Sequence, residues 1–318
     1  MKEAALPAPL TGVIPPLVTP LADRDELDIA GLERLVEHTL AGGVHGLFVL
    51  GTTGEGPALS YLLRYELIER VCKQVAGRVP VLVGITDTAW METVRLADHA
   101  GESGAQAVVL STPYYFPIDA AGQADLREYV RGLAAELPLP IFLYSIPSHA
   151  KNSFTLETVR AVLDLPQVIG MKDSGGDLNF FRELLQLRSQ RPDWSLLIGP
   201  EEQLGEAVLL GADGGVCGGG NLDPRLYVAI YEAARRQDQA RVRELQQRVE
   251  TIVRTIYAVG RERGSWLKGL KCALACLGIC DDFMAEPVRR LPAVDRARIA
   301  AAVADLGLLT GERVATTV

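Results

Sequence analysis

What this chain lacks narrows its class before any motif is read. Aromatic residues make up only 6% of it, so aliphatic side chains must fill the interior. No two of its five cysteines stand in CxxC spacing, and an odd number in so long a chain argues against a disulfide framework and for reduced thiols. Cys272, Cys276 and Cys280 recur at helical spacing. With no histidine near them in sequence, and Leu274 and Leu277 interleaved, they read as small apolar side chains along a helix rather than as metal ligands. The opening residues 1–7 hold no apolar core of a signal peptide, and no apolar run approaches the roughly 20 residues that span a bilayer. A soluble cytoplasmic protein is expected. A net charge of -8 argues against nucleic acid or an anionic membrane as partner, though not against a small anionic substrate.

What is present is alternation. Short apolar runs at 12–18, 46–50, 79–85, 107–110, 140–144, 168–172, 195–199 and 214–218 are separated by amphipathic stretches at 29–40, 61–75, 89–100, 125–137, 156–163, 178–187 and 203–210. Strands apolar on both faces and separated by helices form a parallel sheet covered on both sides. Eight such units fit a closed (β/α)8 TIM barrel. The alternative, an open doubly wound sheet that binds nucleotides, needs a phosphate-binding glycine loop near its first strand. Thr19-Pro20-Leu21-Ala22-Asp23 offers none. After Asn221 the alternation stops, and 226–234, 242–259, 266–277 and 294–306 read as helices. The expected organisation is a barrel carrying the active site over 1–225 and a C-terminal helical region over 226–318.

Barrel enzymes carry their chemistry at the C-terminal ends of strands. Here apolar runs end in Gly51-Thr52-Thr53-Gly54-Glu55, Ser111-Thr112-Pro113-Tyr114-Tyr115, Tyr144-Ser145-Ile146-Pro147 and Lys172-Asp173-Ser174. A lysine at the edge of an apolar core is partly desolvated, which favours the neutral amine that can attack a ketone to form an imine; Lys172 would otherwise be a lysine snorkelling to solvent. The Tyr144 phenol can carry protons to and from an imine, or be an aromatic core residue. In Gly51-Thr52-Thr53-Gly54, glycines let backbone approach a ligand closely, so N–H and hydroxyl groups can hold a carboxylate. The same stretch has a faint P-loop spacing, but Pro57-Ala58 stand where Lys-Ser/Thr would be required.

Taken in order, these four motifs resemble the dihydrodipicolinate synthase / N-acetylneuraminate lyase family of class I aldolases over roughly residues 10–290. The resemblance implies a (β/α)8 barrel with a C-terminal helical region, a homo-oligomer that is a tetramer or dimer, and no metal or organic cofactor. It makes Lys172 the imine-forming lysine and Tyr144 the proton-transfer phenol. Gly51, Thr52 and Thr53 would bind the pyruvate carboxylate, Val216 would line the pyruvate pocket, and Tyr115 would reach a neighbouring subunit's site. The synthase branch usually has an arginine shortly after its YxxP motif; here His149 stands in that place, in Pro147-Ser148-His149-Ala150-Lys151. Histidine forfeits a bidentate carboxylate clamp. Gly56 also replaces a serine common in that branch, and Tyr114-Tyr115-Phe116-Pro117 looks more like the 2-keto-3-deoxy sugar acid aldolases. The expected partners are therefore pyruvate and an aldehyde, in the reversible aldol cleavage of a 2-keto-3-deoxy sugar acid. The alternatives are 4-hydroxy-tetrahydrodipicolinate synthase, a sugar-acid dehydratase working through the same imine, and a barrel that only senses a 2-oxo acid.

Overall fold

The computed structural model describes residues 6–118, 122–260 and 264–309. Residues 1–5, read above for a leader, and 310–318, the end of the expected helical region, lie outside the described residues. Eight parallel strands form one sheet: β1 (Gly12–Val13), β2 (Leu47–Val49), β3 (Val81–Gly84), β4 (Ala107–Ser111), β5 (Ile141–Ser145), β6 (Val168–Asp173), β7 (Ser195–Ile198) and β8 (Gly214–Gly215). From β2 to β8 each strand pairs with its successor, and β8 pairs with β1. Between them run α1 (Ile29–Ala41), α2 (Tyr61–Val75), α3 (Trp90–Glu102), α4 (Gln123–Glu136), α5 (Leu156–Arg160), α6 (Leu178–Leu187) and α7 (Leu204–Leu209). Helix α8 (Pro224–Arg235) follows β8 and packs against α7 and β1. Several helices start where the sequence supplies a cap: Asp28, Ser60, Asp177 and Asp223 each accept a backbone N–H of the first turn. At α8 the cap is followed by Pro224, whose missing N–H has no partner to lose there.

The expected first strand, 12–18, is much shorter in the ladder because Pro15 and Pro16 have no N–H to give. The sheet still closes there. The Phe48 N–H donates to Pro15 O at 3.0 Å and the Leu17 N–H donates to Phe48 O at 2.8 Å, straddling Pro16. On the other side of β1, Gly214 meets Gly12 so closely that a Cβ would lie 1.8 Å from Gly12 O, which explains a glycine at this seam. Asn221, fully buried, fastens the same corner: its Nδ2 donates to Pro16 O and Gly218 O, and its Oδ1 accepts from the Val18 N–H.

Two cores result from the period-2 alternation of strands. One set faces the helices. The other fills the barrel and includes Ile14, Phe48, Leu82, Val109, Phe142, Tyr144, Leu197 and Val216. Residues 142 and 144 share that interior parity, as do 170 and 172 on the next strand, so Tyr144 and Lys172 face the barrel axis.

A hairpin pairing Leu21–Asp23 with Glu26–Leu27, unmarked in the alternation, turns through Asp25 at φ 57. In the C-terminal region, α9 (Gln239–Ile252) runs into a π-turn, Val253–Tyr257, where a single helix over 242–259 is expected. The stretch Val253-Arg254-Thr255-Ile256 is rich in β-branched residues, which are stiff in a helix, and the turn delivers Tyr257 to a buried carboxyl described below. Helices α10 (Ser265–Cys276) and α11 (Ala293–Asp305) complete the region. No helix among the described residues is long and apolar enough to cross a membrane.

Candidate active site

The barrel register sets Tyr144 and Lys172 side by side across β5 and β6. Lys172 is only 6% exposed, and its Nζ lies 4.1 Å from the centroid of the Tyr144 ring and 5.4 Å from that of Phe48. The two rings meet edge to face, 6.5 Å apart. No hydrogen bond or ion pair to Lys172 Nζ occurs among the described residues, so none of these competes with a ligand for the amine.

The loop after β2 carries the two threonines. It folds on itself through Glu55 N–H to Thr52 O at 3.1 Å and Gly56 N–H to Gly51 O at 3.2 Å. A Cβ at Gly56 would sit 2.3 Å from Leu50 O, so only glycine fits. Leu50 and Glu55 both adopt left-handed backbone, φ 59 and 55.

Thr52, Thr53, Tyr144, His149, Lys172 and Val216 line one cavity of about 380 Å³ at the C-terminal mouth of the barrel. Gly51 lies in an adjoining chamber of about 280 Å³ that shares Thr52, Tyr144, Ile146 and His149 with the first. Tyr115 lines neither: it is 72% exposed, packed edge-on against Phe116. Its neighbour Tyr114 faces the second chamber, together with Ser111 and Arg64. The Arg64 guanidinium is engaged, donating to Asp87 Oδ2 at 3.1 Å and to Leu59 O and Pro57 O. His149, at the mouth, has its pKa lowered by desolvation and lies 3.0 Å from Ser148 Oγ. Cys272 and Cys280 are buried and Cys276 is half-buried.

Sequence reasoning missed part of this wall. Glu201 and Glu202 follow β7 directly, so the strand-end rule that picked out Lys172 would have found them. Val253, Tyr257 and Trp266 also line the cavity, but they belong to the helical region, and nothing local in their sequence marks them.

Glu201 is the unusual group. Its Oε2 accepts from the Gly219 N–H at 3.2 Å, from the Tyr257 hydroxyl at 3.4 Å and, closely, from the Tyr227 hydroxyl. No cation among the described residues neutralises it. Burial pushes its pKa up to about 7, against the lowering effect of the Tyr227 hydrogen bond. Burial likewise raises Asp173, next to Lys172, to about 6. The site thus joins an unpaired amine, a phenol, two threonines and a buried carboxyl in a pocket with a mainly apolar lining, a set suited to imine chemistry and proton transfer.

Comparison with known proteins gives the family. The pattern of the Dihydrodipicolinate synthetase family matches residues 9–305. The chain belongs to that family. It is 35% identical over 305 residues, 95% of its own length and 96% of the relative's, to an uncharacterised DapA-like lyase of Halobacterium salinarum. It is 31% identical over 271 residues, 85% of its length and 88% of the relative's, to a probable 2-dehydro-3-deoxy-D-pentonate aldolase of Escherichia coli. A solved dihydrodipicolinate synthase from Bacteroides thetaiotaomicron superposes with a TM-score of 0.90 at 50% identity, covering 94% of this chain and 99% of the other. This member of the Dihydrodipicolinate synthetase family is therefore a lyase of the class I aldolase type, on a TIM barrel.

The buried carboxyl gives a prediction about stability. In the unfolded chain Glu201 titrates near 4.5, and in the fold near 7. Below 4.5 both states are protonated and the fold keeps its full stability. As pH rises through 7 the folded carboxyl must ionise without a cation, and about 3 kcal/mol is lost. Glu201→Gln mimics the neutral acid. Urea unfolding from pH 4 to pH 8 should show that loss in the native chain and its absence in the variant; parallel curves would refute the assignment.

Proposed function

We propose that Lys172 forms a Schiff base with a 2-oxo acid, and that the reaction is the reversible aldol cleavage of a 2-keto-3-deoxy sugar acid to pyruvate and an aldehyde. Support for the lysine is its buried, unpaired amine at a strand end beside Tyr144, in a cavity that also holds Thr52 and Thr53. In this reading Gly51, Thr52 and Thr53 receive the carboxylate and Val216 lines the pyruvate pocket. The Lys172 amine adds to the C2 ketone, and loss of water gives the iminium. Removal of the C4 hydroxyl proton lets the C3–C4 bond break. The aldehyde leaves, and the bonding pair is held as the enamine. Protonation at C3 and hydrolysis of the imine then release pyruvate and free the lysine. Tyr144 carries protons between the imine nitrogen, the hydroxyl and solvent.

One observation carries the choice of aldehyde. Among the described residues lining the Lys172 cavity, Lys172 is the only lysine or arginine. His149, where the synthase branch places arginine, is held toward its neutral form by desolvation. Lys151 caps the short helix Pro147–Ala150 at φ 61 and lines neither chamber. Arg64 is spent on Asp87. A neutral hydroxylated aldehyde suits such a wall; an anionic one lacks a charge-assisted partner. The second reading, 4-hydroxy-tetrahydrodipicolinate synthase, is favoured by the 50% identity to the solved protein named a dihydrodipicolinate synthase. Tyr115 is assigned to a neighbouring copy's site, supported by its exposure in the single chain beside exposed Phe116.

Four outcomes test these readings. Borohydride reduction with pyruvate should add one reduced pyruvyl group to the peptide containing Lys172, and Tyr144→Phe should slow turnover about 10²-fold without unfolding the chain; a label on a different lysine would remove the mechanism. With pyruvate, kcat/KM for glyceraldehyde should exceed that for aspartate semialdehyde, and the reverse by an order of magnitude would install the synthase reading. Sedimentation should find the active species to be an oligomer; full activity in a monomer would leave Tyr115 without a role.

A further inference from the structure

The hydroxyls of Thr52 and Thr53 make no hydrogen bond within the described residues. Their placement is therefore set by the backbone of loop 51–56 alone, and that loop is held from behind. Glu55 stands in left-handed backbone, an uncommon place for a residue with a side chain, and its carboxylate is bonded at both oxygens. Oε1 lies 2.7 Å from the ammonium of Lys271, and Oε2 accepts from the Ala285 N–H at 2.8 Å. Lys271 sits on α10 and is wholly buried. Its Nζ also donates to Thr19 O at 3.0 Å, while Thr19 Oγ1 donates to Gly54 O at 2.6 Å. One cation thus grips two consecutive loop residues, Glu55 directly and Gly54 through Thr19. Lys271 lines neither chamber.

We propose that Lys271 is a positioning residue: it fixes loop 51–56 so that Thr52 and Thr53 meet the carboxylate of a 2-oxo acid. The C-terminal helical region thereby sets substrate affinity at a strand end it does not belong to. This rests on the reading of those threonines as the carboxylate site. A loop freed from its pin loses the geometry that binds the acid before it loses the chemistry of the lysine.

The test is borohydride trapping of Lys172 over a range of pyruvate concentrations, on the full chain. Lys271→Met combined with Glu55→Gln removes both charges together, so that no buried ion is left unpaired. Glu55→Asp keeps both charges and shortens the reach. For each variant that gives a cooperative melt, half-saturating pyruvate should rise about tenfold, with the trapping rate at saturation within about threefold of the native rate. Unchanged half-saturation in a folded variant, or a fall in maximal rate alone, overturns the proposal. So does failure of both variants to fold, which would make the pair structural only. Absence of trapping in the native chain defeats the reading of Lys172 itself; normal native trapping with unaltered variants defeats only the role of Lys271.

Discussion

The sheet closes only because Phe48 exchanges hydrogen bonds with the chain on either side of Pro16, a residue that has no N–H to offer. Without that junction the eight strands would be an open sheet with two free edges, and β2 would have no fixed relation to β1 and β8. With it, the Phe48 ring comes to lie 5.4 Å from Lys172 Nζ and edge-on to Tyr144. The loop that follows Phe48 after two residues carries Thr52 and Thr53. Closure therefore makes strands that are far apart in the sheet order share one cavity. Asn221 and the Gly12–Gly214 contact secure the neighbouring seam.

Two buried carboxylates border this cavity or its loop, and they are managed differently. Glu55 is paired with Lys271 and bonded at both oxygens. Breaking such a pair on one side costs about 3–5 kcal/mol, because the remaining ion is stranded. Glu201 has hydrogen-bond donors but no cation among the described residues, and burial shifts it toward its neutral form. The first arrangement suits a rigid support. The second ties the end of β8, α8 and the π-turn together through one oxygen, at a place where protonation matters near neutral pH.

Much of this was legible in the residues. The apolar runs found at 46–50 and 195–199 differ from β2 and β7 only at their ends, and the helices read at 61–75 and 178–187 coincide with α2 and α6. Lys172, Tyr144, Thr52 and Thr53 could be singled out because polar groups at the ends of apolar runs break the pattern locally. The hairpin around Asp25 was not legible, since its strands are too short to show a period. The π-turn was not legible either: β-branched residues at 253, 255 and 256 stiffen a helix there but do not by themselves mark a shift in its hydrogen bonds.

The amino-acid sequence by itself determined the βα alternation, the parity that turns Tyr144 and Lys172 to the same face, and the absence of an arginine where His149 stands. Those are local properties, set by hydrophobic period and residue type. Tertiary structure alone decided that Val253, Tyr257 and Trp266 join the same cavity, and that Lys271 supports the threonine loop from more than two hundred residues away. Each of these depends on how the helical region packs on the closed barrel. No periodicity encodes a contact of that range, because it exists only once the strands have met around Phe48.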